Sequence, residues 1–293
     1  MTELSYVIPV LNPADYLARA DKVIRPVTDG GCQSVELPVE GPLRVGVDLG
    51  TANTVLSVLD VNGNPIAGEY QFAQVVRDGL VVDFMGAVDL LTAMKERVEK
   101  ALGRELTHAA SGFPPGVPRS EVRATANVVE AAGMRCEILV DEPTAANNVL
   151  GLHDGVIVDV GGGTTGIAIL ENGKVVYTAD EPTGGTHFSL VIAGASGISF
   201  EEAEALKKTP SEQTRLFPVI RPVMEKVGSI VARHLHGRNV DLVTLVGGSC
   251  AFPGMAAVVQ EYTGIRTQVS EQPLLVTPLG IALNDDQGLE EEV

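Results

Sequence analysis

Two aspartates stand just ahead of short turns rich in Gly and Thr, 111 positions apart (159 minus 48), in Asp48-Leu49-Gly50-Thr51-Ala52-Asn53-Thr54 and Asp159-Val160-Gly161-Gly162-Gly163-Thr164-Thr165. A turn of that composition at a strand end can aim successive backbone N–H groups at phosphate oxygens, because glycine permits both the backbone angles and the close approach. An aspartate beside polyphosphate is repelled unless a cation lies between them. The pairing therefore predicts a phosphate ligand with Mg2+, whose retained waters hydrogen-bond to Asp48 and Asp159. Either turn alone could be an ordinary tight hairpin; the recurrence of the aspartate favours the phosphate reading. No Gly-x-x-x-x-Gly-Lys-Ser/Thr sequence occurs, and no Gly-x-Gly-x-x-Gly opens a helix after a strand, so the usual P-loop and dinucleotide fingerprints are excluded.

The elements around the two aspartates repeat as well. Arg44-Val45-Gly46-Val47 leads into the first and Val55 to Asp60 leaves it, ending at Asn62-Gly63; Val156-Ile157-Val158 leads into the second and Gly166 to Glu171 leaves it, ending at Asn172-Gly173. Asn-Gly between apolar runs is a strong hairpin signal. Each copy reads as strand, acidic turn, strand and hairpin, so the chain is a duplication.

Further along, Pro65 to Gln71 and Gln74 to Val82 read as short strands, with Asp78-Gly79 as punctuation. Phe84 to Leu102 carries Leu90, Leu91, Met94, Val98 and Leu102 at helical spacing. His108 to Phe113 and Cys136 to Val140 read as buried strands, with a helix from Glu121 to Ala132 between them closed by Gly133. The second half follows with a strand over Lys174 to Ala179, a helix from about Thr186, an acidic helix over Ser199 to Lys208, and a long helix over roughly Gln213 to His236. Leu242 to Val246 is a strand, Phe252 to Tyr262 a helix, and a last helix begins near Pro278.

Asn12-Pro13 reads as a cap followed by proline at a first helical position, with Leu17, Ala20 and Ile24 on one face. That gives an N-terminal arm over residues 1–41, either packed on the protein's own surface or free to dock a partner. The remaining divisions are a first lobe at 42–152, a second at 153–277, and a connecting helix with an acidic tail at 278–293.

With 293 residues, 45% of them hydrophobic, the chain can bury a large core, and its length favours two domains. Aromatic residues make up only 4%, so Val, Leu, Ile and Ala must fill that core, which suits strands covered by helices in an α/β fold. The net charge of -17, without any cluster of Lys and Arg, argues against nucleic acid or anionic lipid as a partner. Cys32, Cys136 and Cys250 match neither a disulfide framework nor a zinc site and read as reduced thiols of a cytoplasmic protein. No secretory signal or apolar run of membrane-spanning length is expected.

Five segments, Asp48 to Thr54, Asp141-Glu142-Pro143-Thr144-Ala145-Ala146, Asp159 to Thr165, Val246-Gly247-Gly248-Ser249 and Pro278-Leu279-Gly280-Ile281-Ala282, resemble in order the motifs of the actin and DnaK-type chaperone ATPase superfamily. The first is especially similar to that of bacterial MreB. Val76 to Phe84, Phe113 to Gly116, Gly161 to Ile169, Glu201 to Glu204 and Gly247 to Gly254 further resemble the chaperone-like family of ethanolamine-utilisation proteins. The resemblance implies an actin-like ATPase fold of duplicated ribonuclease H-like domains, two lobes around a nucleotide cleft, with reduced outer subdomains.

It implies ATP or ADP and Mg2+ as cofactors. Gly50, Thr51, Ala52 and Asn53 become one phosphate loop, with Asp48 near the metal through water. Gly161, Gly162, Gly163, Thr164 and Thr165 become the other, with Asp159 at the metal and the attacking water. Glu142 positions that water, a role phosphoryl transfer requires. Gly247, Gly248 and Ser249 admit the adenosine, and Glu204 with Lys207 contacts ribose or base, although a solvated helix face is the plain reading of that pair. Ala145, Ala146, Gly280 and Ala282 let two connecting helices cross at the hinge.

The implied role is a slow Mg-dependent ATPase acting as chaperone or assembly factor in ethanolamine utilisation, in the bacterial cytoplasm and in association with a microcompartment. Its partners would be ethanolamine-utilisation enzymes or shell proteins. A non-hydrolysing scaffold that binds such partners through residues 1–41 is the alternative. A cytoskeletal filament is a third reading, disfavoured because the outer subdomain shrinks to residues 69–83. No counterpart of the DnaK peptide-binding domain is read.

Overall fold

The structure, a computed structural model, describes residues 9–32, 39–77, 80–116 and 119–287. The chain forms two compact units, Met1–Leu152 with Leu275–Val293, and His153–Leu274. The first begins with α1 (Pro13–Val23) and β1 (Ile24–Pro26), followed by β2 (Arg44–Leu49), β3 (Asn53–Leu59), β4 (Pro65–Phe72) and the small strands β5 (Val76–Arg77) and β6 (Leu80–Val81). After these come α2 (Phe84–Leu102), β7 (Ala110–Phe113), α3 (Arg119–Ala131), β8 (Leu139–Asp141) and α4 (Glu142–Leu150). The second unit holds β9 (Gly155–Val160), β10 (Thr165–Glu171), β11 (Lys174–Glu181), α5 (Gly185–Ser196), α6 (Phe200–Lys208), α7 (Pro210–Leu235), β12 (Leu242–Val246), α8 (Met255–Thr263) and β13 (Arg266–Val269). Finally α9 (Val276–Leu283) returns to the first unit.

The duplication is plain in the sheets. The first unit orders its strands β1-β4-β3-β2-β7-β8, and the second β11-β10-β9-β12-β13. In each, the strand that carries the aspartate pairs antiparallel with the next strand and parallel with a later one. β2 and β9 share one burial pattern: every residue is buried except the aspartate, which is partly open. Apolar, largely β-branched runs of this kind suit strands covered on both faces.

One face of the first sheet packs Val45, Val47, Leu56 and Val58 against Leu91, Met94 and Val98 of α2 and Val128 and Val129 of α3. Asp83 caps α2 by accepting from the Gly86 amide at 2.9 Å, as befits an aspartate at that position. The opposite face receives α9, all eight of whose residues are buried. Small residues allow the approach: a Cβ on Gly46 would lie 2.6 Å from the Ala282 nitrogen, and one on Gly280 would overlap the carbonyl of Ala145 in α4. The second unit gathers Val156, Val158, Ile167 and Ile169 with Phe188, Ile220, Val227 and Val259 from its helices.

Several expectations shift. Among the described residues of the N-terminal arm, β1 joins the first sheet, pairing parallel with β4, Ile24 opposite Gly68 and Pro26 opposite Tyr70. Tyr16, Leu17, Ala20 and Ile24 are buried, and the Tyr16 hydroxyl donates to the Gly63 carbonyl at 2.9 Å. The face offered for docking is therefore already occupied.

β8 is only three residues long, because the Glu137 amide donates to the Gln287 side chain at 3.2 Å instead of to a strand. Pro253 and Gly254, the latter at φ +92°, delay α8 until Met255. The last helix starts at Val276, because Pro278 in a first turn forfeits no intrahelical hydrogen bond. Asp78 and Gly79 lie outside the described residues.

Candidate functional site

In each unit the aspartate is the penultimate residue of a central strand, and the turn that follows closes by the same hydrogen bond. The Gly50 amide donates to the Asn53 carbonyl at 3.1 Å, and the Gly161 amide to the Thr164 carbonyl at 3.0 Å. Pairing resumes with Leu49 opposite Thr54 and Val160 opposite Thr165. None of Gly50, Gly161, Gly162 and Gly163 has positive φ. Left-handed backbone is thus not the reason for these glycines. Space is a reason at Gly50, where a Cβ would lie 2.8 Å from the Asn53 carbonyl oxygen.

In the second unit two segments, residues 183–186 and 247–249, converge on the loop after Asp159. The Gly185 amide donates to the Gly161 carbonyl at 2.9 Å and the Thr186 amide to that of Gly162 at 2.8 Å. The Ser249 hydroxyl donates to the Gly161 carbonyl at 2.7 Å, and the Thr165 hydroxyl to the Thr183 carbonyl at 2.6 Å. Gly184 must be glycine, since a Cβ there would lie 2.7 Å from the Gly162 carbonyl oxygen. Gly247 combines φ +86° with contact against Asp159 and Val160, so backbone angle and space both demand glycine. Asp159, Gly161 to Thr165 and Gly247 to Ser249 are therefore one assembly, at the carboxyl ends of the parallel neighbours β9 and β12. Ligands of open α/β sheets bind at such ends.

Gly184, Gly185 and Thr186 were not among the expected site residues. Their signal is a Gly-Gly pair directly before a helical pattern, where helix-terminal N–H groups collect.

Glu204 and Lys207 are not a solvated face. Their side chains are 9% and 13% exposed, with Lys207 Nζ 2.6 Å from Glu204 Oε2. Lys207 also donates to the Gly185 carbonyl at 3.2 Å and to Ser189 Oγ at 3.0 Å, so its three protons are engaged. Burial raises the Glu204 carboxyl, but the Lys207 charge and hydrogen bonds from Lys207 and Ser189 outweigh it, and the net shift is downward. Burial pulls Lys207 below the usual lysine range, partly offset by Glu204.

Cys250 is buried, its thiol donates to the Val246 carbonyl at 2.9 Å, and burial first, then the Asp159 charge, push it well above the usual range. A thiol so placed is packing, not a nucleophile.

In the first unit, Asp48 is the last residue but one of β2 and Glu142 opens α4 directly after β8, so both lie at the carboxyl end of the parallel run β2-β7-β8. Asp141 caps α4, accepting from the Thr144 amide at 3.0 Å. Glu142 Cγ would lie 3.7 Å from a Cβ on Gly112. Thr51, Ala52 and Asn53 are partly buried around the first turn. A cavity of about 580 Å³ beside α1, lined by Leu11, Tyr16, Arg19 and Asn64 among others, contains none of the expected site residues.

Among the described residues no three His, Cys, Asp or Glu side chains converge on one metal.

The twin sheets and twin aspartate loops define a class, the actin-like ATPase fold. A family model described as type IV pilus assembly protein PilM matches residues 119–277. MreB5 of Spiroplasma citri bound to AMPPNP aligns with TM-score 0.70 and 19% identity, over 87% of this chain and all of that one. The ethanolamine utilization protein EutJ of Escherichia coli K12 is 44% identical over 252 residues, 86% of this chain and 89% of its own length. The crystal structure of EutJ from Carboxydothermus hydrogenoformans aligns with TM-score 0.84 at 44% identity, covering 93% of this chain and 99% of that one. The chain belongs to the EutJ family, within the superfamily that its motifs implied.

Proposed function

We propose that this chain binds ATP or ADP with Mg2+ and hydrolyses ATP slowly, acting as a chaperone or assembly factor for the enzymes or shell proteins of ethanolamine utilisation and its bacterial microcompartment. The observation that carries the reading is the pinned loop after Asp159, whose carboxylate is the one partly open position on an otherwise buried strand. Gly161 to Thr165 would meet the phosphates, and Gly247 and Gly248 the adenosine. Asp159 and Asp48 would hold the waters of Mg2+, which supplies charge neutralisation when bound. Gly50 to Asn53 would contact phosphate from the first unit, and Glu142 would orient the attacking water. Ser249 and the Glu204–Lys207 pair have internal partners and support the loop.

Isothermal titration of wild type with ATP and Mg2+ should show binding that Asp159→Ala abolishes; heatless wild-type titrations would end the nucleotide claim. Hydrolysis is read separately. Glu142→Ala should lower turnover about 10²-fold or more while leaving affinity nearly unchanged, as expected of a group acting on the water. Equal rates would remove Glu142 from that role. Because β1 belongs to the first unit's sheet and α1 buries Tyr16, Leu17 and Ala20, the alternative of a scaffold docking through that arm has less to recommend it. Deleting the arm should unfold the first unit instead of merely releasing partners.

A further inference from the structure

Among the described residues eight large apolar side chains are exposed, and four of them fall within the six positions 80–85. Leu80 is 40% exposed, Val82 56%, Phe84 41% and Met85 64%. Scattered singly, as Leu11, Val176, Leu190 and Tyr262 are, such residues need no explanation; a run of them does.

The backbone beneath the run is fixed. β5 and β6 pair antiparallel, Val76 opposite Val81 and Arg77 opposite Leu80, and the Val82 and Asp83 amides both donate to the Val75 carbonyl, at 2.9 and 3.2 Å. Val75 and Val76 are buried in the first unit's core and Val81 packs against it, so strand alternation turns Leu80 and Val82 outward. Phe84 and Met85 then open α2, whose first turn carries no acidic residue although its unpaired amides favour one. The buried stripe of α2, Ala87, Leu91, Met94 and Val98, is complete without them. Neither local helix chemistry nor the core accounts for apolar side chains at these positions.

Charge and element length decide what could cover them. A second copy of a chain with net charge -17 is repelled, and so is an anionic lipid surface. β6 has only two residues, too few for an added strand to gain much backbone hydrogen bonding. What remains is side-chain packing by a partner of positive charge. Asp83 and Asp89 are exposed within and beside the run, against Arg77 on β5.

We infer that Leu80, Val82, Phe84 and Met85 form a docking surface for an amphipathic helix of a partner protein, its apolar face rimmed by Lys and Arg. The four side chains supply the contact, while the acidic chain steers the approach and selects against acidic partners. The inference deepens the proposed assembly role and rests on it for the partner's identity as an enzyme or shell protein; the surface itself needs no nucleotide.

The probe is a synthetic helix of about 18 residues built from Leu and Lys, with Leu at i, i+3, i+4 and i+7 spacing. One control is a scrambled peptide of equal composition, and the other is a Leu and Glu peptide of the same pattern. Calorimetry and amide NMR on the full chain without nucleotide should show binding, with the largest shifts over residues 80–90. Both controls should bind about tenfold more weakly or worse. Val82→Ser with Met85→Ser should cut affinity for the Leu and Lys helix about tenfold, at an unchanged melting temperature because both side chains are exposed. Phe84→Ser should cut it severalfold. No binding by wild type, equal binding of either control, or equal affinity in the double variant overturns the inference. So does a wild type that sediments as a dimer while the double variant does not, since the face would then join two copies. Each result is read without ATP, so failure of the nucleotide reading leaves the surface standing, and failure of the surface leaves that reading intact.

Discussion

The Ser249 hydroxyl donates to the carbonyl oxygen of Gly161 at 2.7 Å, tying the segment after β12 to the loop after β9. Ser249→Ala removes that donor, but Gly161 keeps the bond from the Gly185 amide. The loss should therefore be that of one ordinary hydrogen bond, about 0.5–1.5 kcal/mol. Titration with ATP and Mg2+ should show affinity down about 2- to 10-fold with little change in melting temperature. A loss as complete as that expected of Asp159→Ala would instead make Ser249 a direct ligand.

Two glycine substitutions should act in opposite directions. Gly280 faces the Ala145 carbonyl so closely that a Cβ cannot fit, and both residues lie on rigid helices. Gly280→Ala should destabilise the first unit by about 1–3 kcal/mol or more, the cost of overpacking. Gly194 lies within α5, has no positive φ and has open space where a Cβ would stand. Gly194→Ala should stabilise the second unit by about 0.4–1 kcal/mol. Chemical denaturation of each variant gives both signs.

A buried polar network fastens the segment after α9. Asp285 accepts from the Val45 amide and from His108 Nδ1, each at 2.8 Å, and from Gln287 at 2.9 Å, while Arg44 donates to the Leu283 carbonyl at 2.9 Å. Asp285→Ala strands several buried donors at once. It should cost about 3–5 kcal/mol, as when one partner of a buried charged pair is deleted. Loss of α9 docking should follow, seen as selective proteolysis after residue 275.

Acid should weaken the second unit through Glu204. Its folded-state pKa is lowered, so its contribution is fully present above the unfolded value of about 4.3 and disappears as pH falls through the folded value. The stability difference between wild type and Glu204→Gln should be largest near neutral pH and shrink below about pH 4. Denaturant titrations from pH 7 to pH 3 measure it. A difference that stays constant across that range would mean that folding leaves the titration of Glu204 unchanged.

Local chemistry made much of this molecule legible. The repeated aspartate, the glycine-bearing turn and the Asn-Gly hairpins announced the two β2-β3-β4-like meanders, and helical spacing located α2 within its true limits. What escaped was tertiary in origin. β1 is three residues ending in proline, and only its pairing with β4 makes it a strand. The i, i+3 spacing of Glu204 and Lys207 reads as surface until α5 is seen to cover it. The importance of Gly184 and Gly185 lies in carbonyls more than twenty positions earlier in the chain. The long helix expected from roughly Gln213 starts at Pro210, and α7 runs through Pro218 and Pro222, anchored by Leu216, Ile220 and Val223.

The return of residues 275–293 to the first unit sets an order of events during synthesis. The second unit is contiguous and can complete its core as soon as Leu274 has left the ribosome. The first unit is made earlier but must wait, with the Gly46 and Gly112 side of its sheet bare, until α9 arrives to cover it. Its oldest strands are therefore the last to be sealed, and a nascent chain stalled before residue 275 would present an unfinished apolar face to whatever shields new polypeptides in the cell.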